Sequence, residues 1–503
     1  MLQPIPDATI SRREIRTVFA GLMLALALAS LDQNIVGIAL PVIISDLGGL
    51  SHLSWVVTAF LVTSTATTPL YGKLSDLYGR KPLFIIAIVI FLAGSSFCGL
   101  ATSMLQLILF RGIQGLGAGG LITLAQTTIA DLVPPRERGR YQGLFGAVFG
   151  FSSIAGPLLG GFITDALSWR WIFYINLPVG LLALALIVFG FHRPHKVVAH
   201  TIDYAGAALL TVATVCMLLV LTWGGSQFGW TSPVITGLSL AVCVLVVLLV
   251  RVERQSAEPV LSPHIFHNKV FVIATGVMGL TFMGLFSAAL FLPLLFQLVL
   301  GMAPAKAGLM MAPMTGGMIL TSFLGGRQVS RTGRYKIYPV VGLAAAAFSF
   351  TALMLLARLG GSIVLVEAAL IVLGCGFGLV MPNLVVALQN AVSSREQGAA
   401  TATGAFFRSL GGTFGAALAG AIMTWQLGVP AGTRTGSAMR ALAEQGLQQI
   451  AALPPEQHGS VIAAYRHAIS MTFLAGAVIT FAAFALVLFL PEQPLKTSHA
   501  ERS

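Results

Sequence analysis

The chain has 503 residues, 56% of them hydrophobic and only 9% charged, with a mean hydropathy of +0.89. A water-soluble domain carries about a quarter of its residues as charges, so the composition excludes a soluble globular protein and makes lipid the solvent for most of the chain. The net charge of +12 does not indicate nucleic acid, because Lys and Arg fall in short clusters between apolar runs, where they orient a membrane protein.

Hydrocarbon cannot hydrogen-bond a bare backbone, so the spanning units must be helices or a closed barrel. The apolar runs are about twenty residues long and lack strict alternation, which predicts helices. Fourteen candidate spans follow in chain order, at 17–43, 54–72, 83–101, 104–130, 141–166, 171–191, 203–223, 232–251, 270–299, 304–325, 337–357, 362–388, 398–425 and 467–490. The first begins behind Arg12, Arg13 and Arg16 and resembles a secretory signal, but its apolar stretch runs on to Ile44, too long for a cleaved segment.

Few ionisable side chains lie inside these spans. Each costs roughly 2.5 to 3.5 kcal/mol on insertion scales and is therefore functional by default. Asp32 in the first span, held away from water, is suited to load a proton from one side and release it to the other; its alternative role is partner to a buried base. Arg111 in the fourth span keeps its proton and either tunes Asp32 or binds carbonyl groups of a neighbouring helix. In the later spans, Glu367 and Arg408 are the candidate cavity charges, with an interfacial glutamate and a structurally paired arginine as the expected bland roles. Cys98, Cys216, Cys243 and Cys375 all lie in apolar runs without CxxC spacing, so neither disulfide nor metal is expected. No HExxH, GxSxG, phosphate-binding loop or paired catalytic carboxylate is present; no enzyme activity and no cofactor is expected.

Between the spans the chain repeats itself. Shifted by 254 residues, Gly326, Gly333 and Arg334 fall under Gly72, Gly79 and Arg80; shifted by 259, Arg395, Glu396 and Gly398 fall under Arg136, Glu137 and Gly139. Two six-helix bundles of the same orientation follow, related by an axis along the membrane normal. The predicted organisation is an N-terminal bundle at 1–192, a linker with two inserted spans at 193–266, and a C-terminal bundle at 267–503 with a long loop at 426–466, where a surface helix is expected at 437–452. With both termini cytoplasmic, 21 basic residues fall on the cytoplasmic side and 6 on the other, as the positive-inside rule requires.

The loop after the second span carries Gly72, Asp76, Gly79, Arg80 and Lys81, which resembles the signature of the major facilitator superfamily. Arg111, Gly112, Gln114 and Gly115, followed by Gly117, Gly119 and Gly120, resemble that family's fourth helix. Gly156, Pro157, Gly160 and Gly161 resemble its antiporter motif, and the stretches Leu31–Pro41 and Trp169–Gly180 are similar to the fourteen-helix drug:proton antiporters. The resemblance implies a proton-coupled antiporter that exports amphiphilic or hydrophobic small molecules from the inner membrane by alternating access. Its partners would be substrate, protons and the bilayer, in a monomer that binds no nucleic acid. A dedicated exporter of a lipid, siderophore or other metabolite, working with a periplasmic adaptor, is the alternative. Asp76, Arg80 and Asp131 would then gate, linking the second–third loop to the ends of the fourth and fifth spans and locking an outward-open form. The glycine and proline seam of the fifth span would restrict proton leak.

Overall fold

A computed structural model describes residues 12–47, 53–133, 135–190, 203–224, 228–256, 259–261, 263–289, 291–302, 304–393, 396–427 and 455–495. The helices are α1 (Arg12–Leu47), α2 (Leu53–Tyr78), α3 (Arg80–Leu100), α4 (Met104–Leu132), α5 (Pro135–Ala166), α6 (Trp171–Gly190), α7 (Tyr204–Trp223), α8 (Pro233–Gln255), α9 (Lys269–Val299), α10 (Ala312–Thr332), α11 (Ile337–Leu359), α12 (Ile363–Asn390), α13 (Gln397–Gln426) and α14 (Pro455–Leu488). Thirteen helices among the described residues are long and apolar enough to cross a membrane; α2 is the fourteenth long helix, its apolar run punctuated by threonine and serine. Those hydroxyls are satisfied within the bilayer: Thr63 donates to the Ala59 carbonyl at 2.8 Å, Thr67 to Thr63 at 2.9 Å and Thr68 to Ser64 at 2.8 Å.

Local chemistry sets the ends. Gly79, at φ 92°, breaks α2 from α3, and Gly333 and Gly360, at φ 73° and 72°, close α10 and α11. Ser103 accepts from the Gln106 amide, Asp203 from Gly206 and Ser232 from Ile235, capping α4, α7 and α8.

Three elements depart from the predicted runs. α6 is interrupted at Ile175, between Trp171–Tyr174 and Asn176–Gly190. The far end of α9 is irregular, a short turn at Leu292–Leu294 passing into a π-helical stretch at Leu295–Val299. The last helix opens at Pro455 rather than 467, so residues 455–466 of the predicted loop are helical: proline suits a first helical position, and Arg466 and His467 had ended the apolar run without ending the helix. The expected surface helix at 437–452 lies outside the described residues.

Packing repeats from one half to the other. In the first half α4 lies against α2 and α3, and α1 against α5 and α6; in the second, α12 lies against α10 and α11, and α9 against α13 and α14. The halves meet along two equivalent seams, α5 with α10 and α2 with α13, while α7 packs with α8 and leans on both α2 and α13. Val62, Leu210, Leu218, Leu249, Phe406 and Leu410 form the apolar contact beneath that inserted pair.

Candidate functional site

Three assemblies of polar groups stand out within this frame. The first is built around Asp32, which α1 carries into the interior of the first half, 1% exposed. Arg111 Nη1 donates to Asp32 Oδ2 at 2.6 Å and to Gln114 Oε1 at 2.7 Å; Gln114 Nε2 and Asn176 Nδ2 donate to Asp32 Oδ1 at 2.8 and 2.9 Å. Asn176 also donates to Ser95 Oγ at 2.9 Å, and Ser95 to the Phe173 carbonyl at 2.8 Å. Arg111 Nε reaches the Val56 carbonyl at 3.4 Å, and the guanidinium carbon lies 4.2 Å from the centre of the Phe60 ring. Arg111 thus pairs with Asp32 and reaches a carbonyl of a neighbouring helix in one geometry. The interruption at Ile175 places Asn176 where it can turn into this cluster.

The antiporter-like seam stands directly behind Asp32. A β-carbon on Gly156 would meet Asn34 Cβ at 2.5 Å, and one on Gly160 the Ile35 carbonyl at 3.1 Å, so these two glycines press α5 against α1 just past the acid. Gly161 has open space beside it, and the Pro157 side chain lies outside the described set.

The second assembly closes the end that carries the α2–α3 loop, called here the basic end. Arg80 pairs with Asp76 at 2.5 Å and donates to Asp131 at 2.8 Å. The Asp76 carboxylate accepts from the backbone amides of Gly398 at 3.0 Å and Ala399 at 2.7 Å, so an acid on the first half caps the N-terminus of α13 on the second. Asp76, Arg80 and Asp131 are brought together, and the contacts described for this cluster reach α4 and α13. Arg138 of α5 is wholly buried, donating to the carbonyls of Ala130 and Val133 and, at 3.5 Å, to Gln397. Lys81 turns away and donates to the Val188 carbonyl at 2.8 Å.

Glycines complete the closure. Gly72 lies against Gly398 and Ala402, and Gly139 against Gly326, too close for side chains at any of these glycines. At the opposite end Asp46 accepts from Trp169 at 2.9 Å and Arg170 at 2.8 Å, which hold its carboxyl below the ordinary 3.8.

The third assembly is a cavity of about 1480 Å³ between the halves, lined by α1, α2, α4 and α5 on one side and α9, α10, α12 and α13 on the other. Its wall includes Trp230 and Trp425, far from the basic end, and Gln126 and Gln142 nearer to it. Asp32 does not reach this wall, although its neighbours Gln33 and Asn34 do. Arg408 does, and among the described residues it lacks the structural ion-pair partner expected of it: the α13 face that carries it turns to the space between the halves, and the Phe282 ring lies beside it, 5.4 Å from centroid to guanidinium carbon. Glu367 lies off the wall, its carboxylate oxygens enclosed and without a hydrogen bond among the described residues. Sequence reasoning assigned no role to Gln114, Asn176, Arg138 or Gln397. The 259-residue shift that relates Arg138 to Gln397 was the available signal for the last two.

The family model described as Major Facilitator Superfamily matches residues 22–206 and 204–416. Multidrug transporter protein MdtP of Bacillus subtilis (strain 168) is 39% identical over 411 residues, covering 82% of this chain and 76% of that protein. Multidrug resistance protein 3 of the same organism is 37% identical over 419 residues, covering 83% and 81%. Among solved structures, the proton:xylose symporter XylE aligns with a TM-score of 0.58 at 14% identity, over 97% of this chain and 99% of that one, a likeness of fold.

Proposed function

The chain belongs to the major facilitator superfamily and is a transporter of the efflux type, and from that premise we propose that it is a proton-driven antiporter exporting amphiphilic small molecules from the inner membrane by alternating access. The observation that carries the reading is the cavity between the halves, shut at the basic end by the Asp76–α13 cap and the glycine contacts. The positive-inside rule makes that end cytoplasmic, with both termini on the same side, and the form described is then the outward-open one. Asp32 is the coupling acid and Arg111 its counter-charge. A proton arriving on Asp32 competes with Arg111 for the same carboxylate, so loading frees the guanidinium and loosens the contacts that tie α1 to α4 and α6. Inward protons supply about 2.3 kcal/mol per 100 mV and about 1.4 kcal/mol per pH unit. That suits export against a concentration gradient.

Proteoliposomes containing a pH-sensitive dye test this. Adding the neutral amphiphile N-phenyl-1-naphthylamine is expected to release protons down their gradient in step with probe movement, and Asp32→Asn to abolish that flux at normal protein content. Probe movement without proton movement, or full coupling in Asp32→Asn, contradicts the reading.

A further inference from the structure

Arg408 lies eleven residues into α13, roughly 17 Å of helical rise from its start, and opens onto the cavity. Among the described residues lining that cavity it is the one formal charge; the other polar groups are amides and hydroxyls such as Gln126, Gln142 and Thr281. Among the described residues no carboxylate lies within ion-pair reach of it, and it makes no hydrogen bond. The acid nearest in role, Asp32, is already bound by Arg111 inside the first half and is absent from the wall.

An arginine left unpaired among apolar walls is a costly arrangement, and low-dielectric walls concentrate its field on whatever enters. The planar fork of donors fits a carboxylate, sulfonate or phosphate in two parallel hydrogen bonds. Beside it Phe282 stacks on Phe286, ring centres 6.0 Å apart and planes 24° from parallel, and both rings line the cavity. A cation would meet repulsion from Arg408 and no acid on the wall to hold it.

We infer that the cavity selects amphiphilic organic anions, Arg408 holding the acidic head and the Phe282–Phe286 platform the adjoining apolar body. This rests on the export reading and narrows its substrate class. Arg408 is a binding residue and takes no part in proton coupling.

Two probes with one ring skeleton isolate the charge: 1-anilinonaphthalene-8-sulfonate, and N-phenyl-1-naphthylamine, which lacks the sulfonate. Trp230 and Trp425 on the wall report binding to the purified full-length protein by energy transfer. Arg408→Gln is expected to weaken the sulfonate by about tenfold or more and to leave the neutral probe unchanged, while Arg408→Lys retains part of the sulfonate affinity. Unchanged sulfonate binding in Arg408→Gln, or equal loss of both probes, overturns the inference. Competition on the unaltered protein decides the matter if the variants fail to fold. Decanoate should displace N-phenyl-1-naphthylamine at about tenfold lower concentration than decylammonium; equal or reversed order overturns the inference. Export of the neutral probe without anion preference leaves the export reading standing and this one refuted. Anion preference without proton-linked movement of either probe does the reverse.

Discussion

The Asp32–Arg111 pair is worth little as a net source of stability, since two ions lose water to form it; removing one partner is what is costly, because the other is left charged and enclosed. With Arg111 and Asp32 both nearly inaccessible, Asp32→Ala or Arg111→Ala alone is expected to destabilise the protein by about 3 kcal/mol. The double variant should cost clearly less than the sum. A thermal-unfolding cycle on the four proteins measures this coupling, and strict additivity would show that the two side chains do not sense each other. Both charges are legible in the sequence because each interrupts an apolar run. That Gln114, Asn176 and Ser95 complete their shell is not, for neutral amides and hydroxyls are common enough in spans to carry no such signal. Arg138 is the reverse case: it reads as an ordinary loop base, and only the fold shows that Ala130 and Val133 carbonyls enclose it.

At the scale of elements, the closed end is a two-fold arrangement made from the repeat itself. Gly72 of α2 meets Gly398 of α13, and the residues 254 and 259 away, Gly326 and Gly139, meet across the other seam. The four glycines can be matched in pairs from the sequence; that each crosses to the opposite half cannot, because pairing between halves depends on how they tilt. Charge breaks the symmetry. Ser330 and Asn390 stand where Asp76 and Asp131 stand in the first half, so the carboxylate that caps α13 from across the seam has no acidic counterpart at the equivalent position of the second half. Removing a helix cap costs about 1 kcal/mol, enough to move a balanced two-state equilibrium several-fold. Asp76→Ala, which leaves the Gly398 and Ala399 amides without their acceptor, is therefore expected to enrich the form open at the basic end. Spin labels at the exposed positions Arg140 and Arg327, near the Gly139–Gly326 contact, would report it as a longer distance population; an unaltered distribution would show that the cap does not set the balance.

For the whole molecule, the number and order of long helices follow from apolar length alone, which is why they were legible despite the threonine and serine in α2 and the irregular end of α9. What length cannot convey is where the inserted pair sits. α7 leans on α2 and α13, and its end supplies Leu221 and Thr222 to the cavity wall. Among the described residues no helix lies over the other seam, where α5 and α10 leave Phe151, Leu158, Phe162, Leu320 and Leu324 exposed. A photoreactive lipid probe is accordingly expected to label Phe162→Cys and Leu320→Cys readily and Leu410→Cys little, and equal labelling of all three would show that both flanks are open. The two flanks of the interface therefore differ in what borders them: one is buttressed by the inserted pair, and the other, though its helices pack together, presents its own apolar side chains straight to the surrounding hydrocarbon.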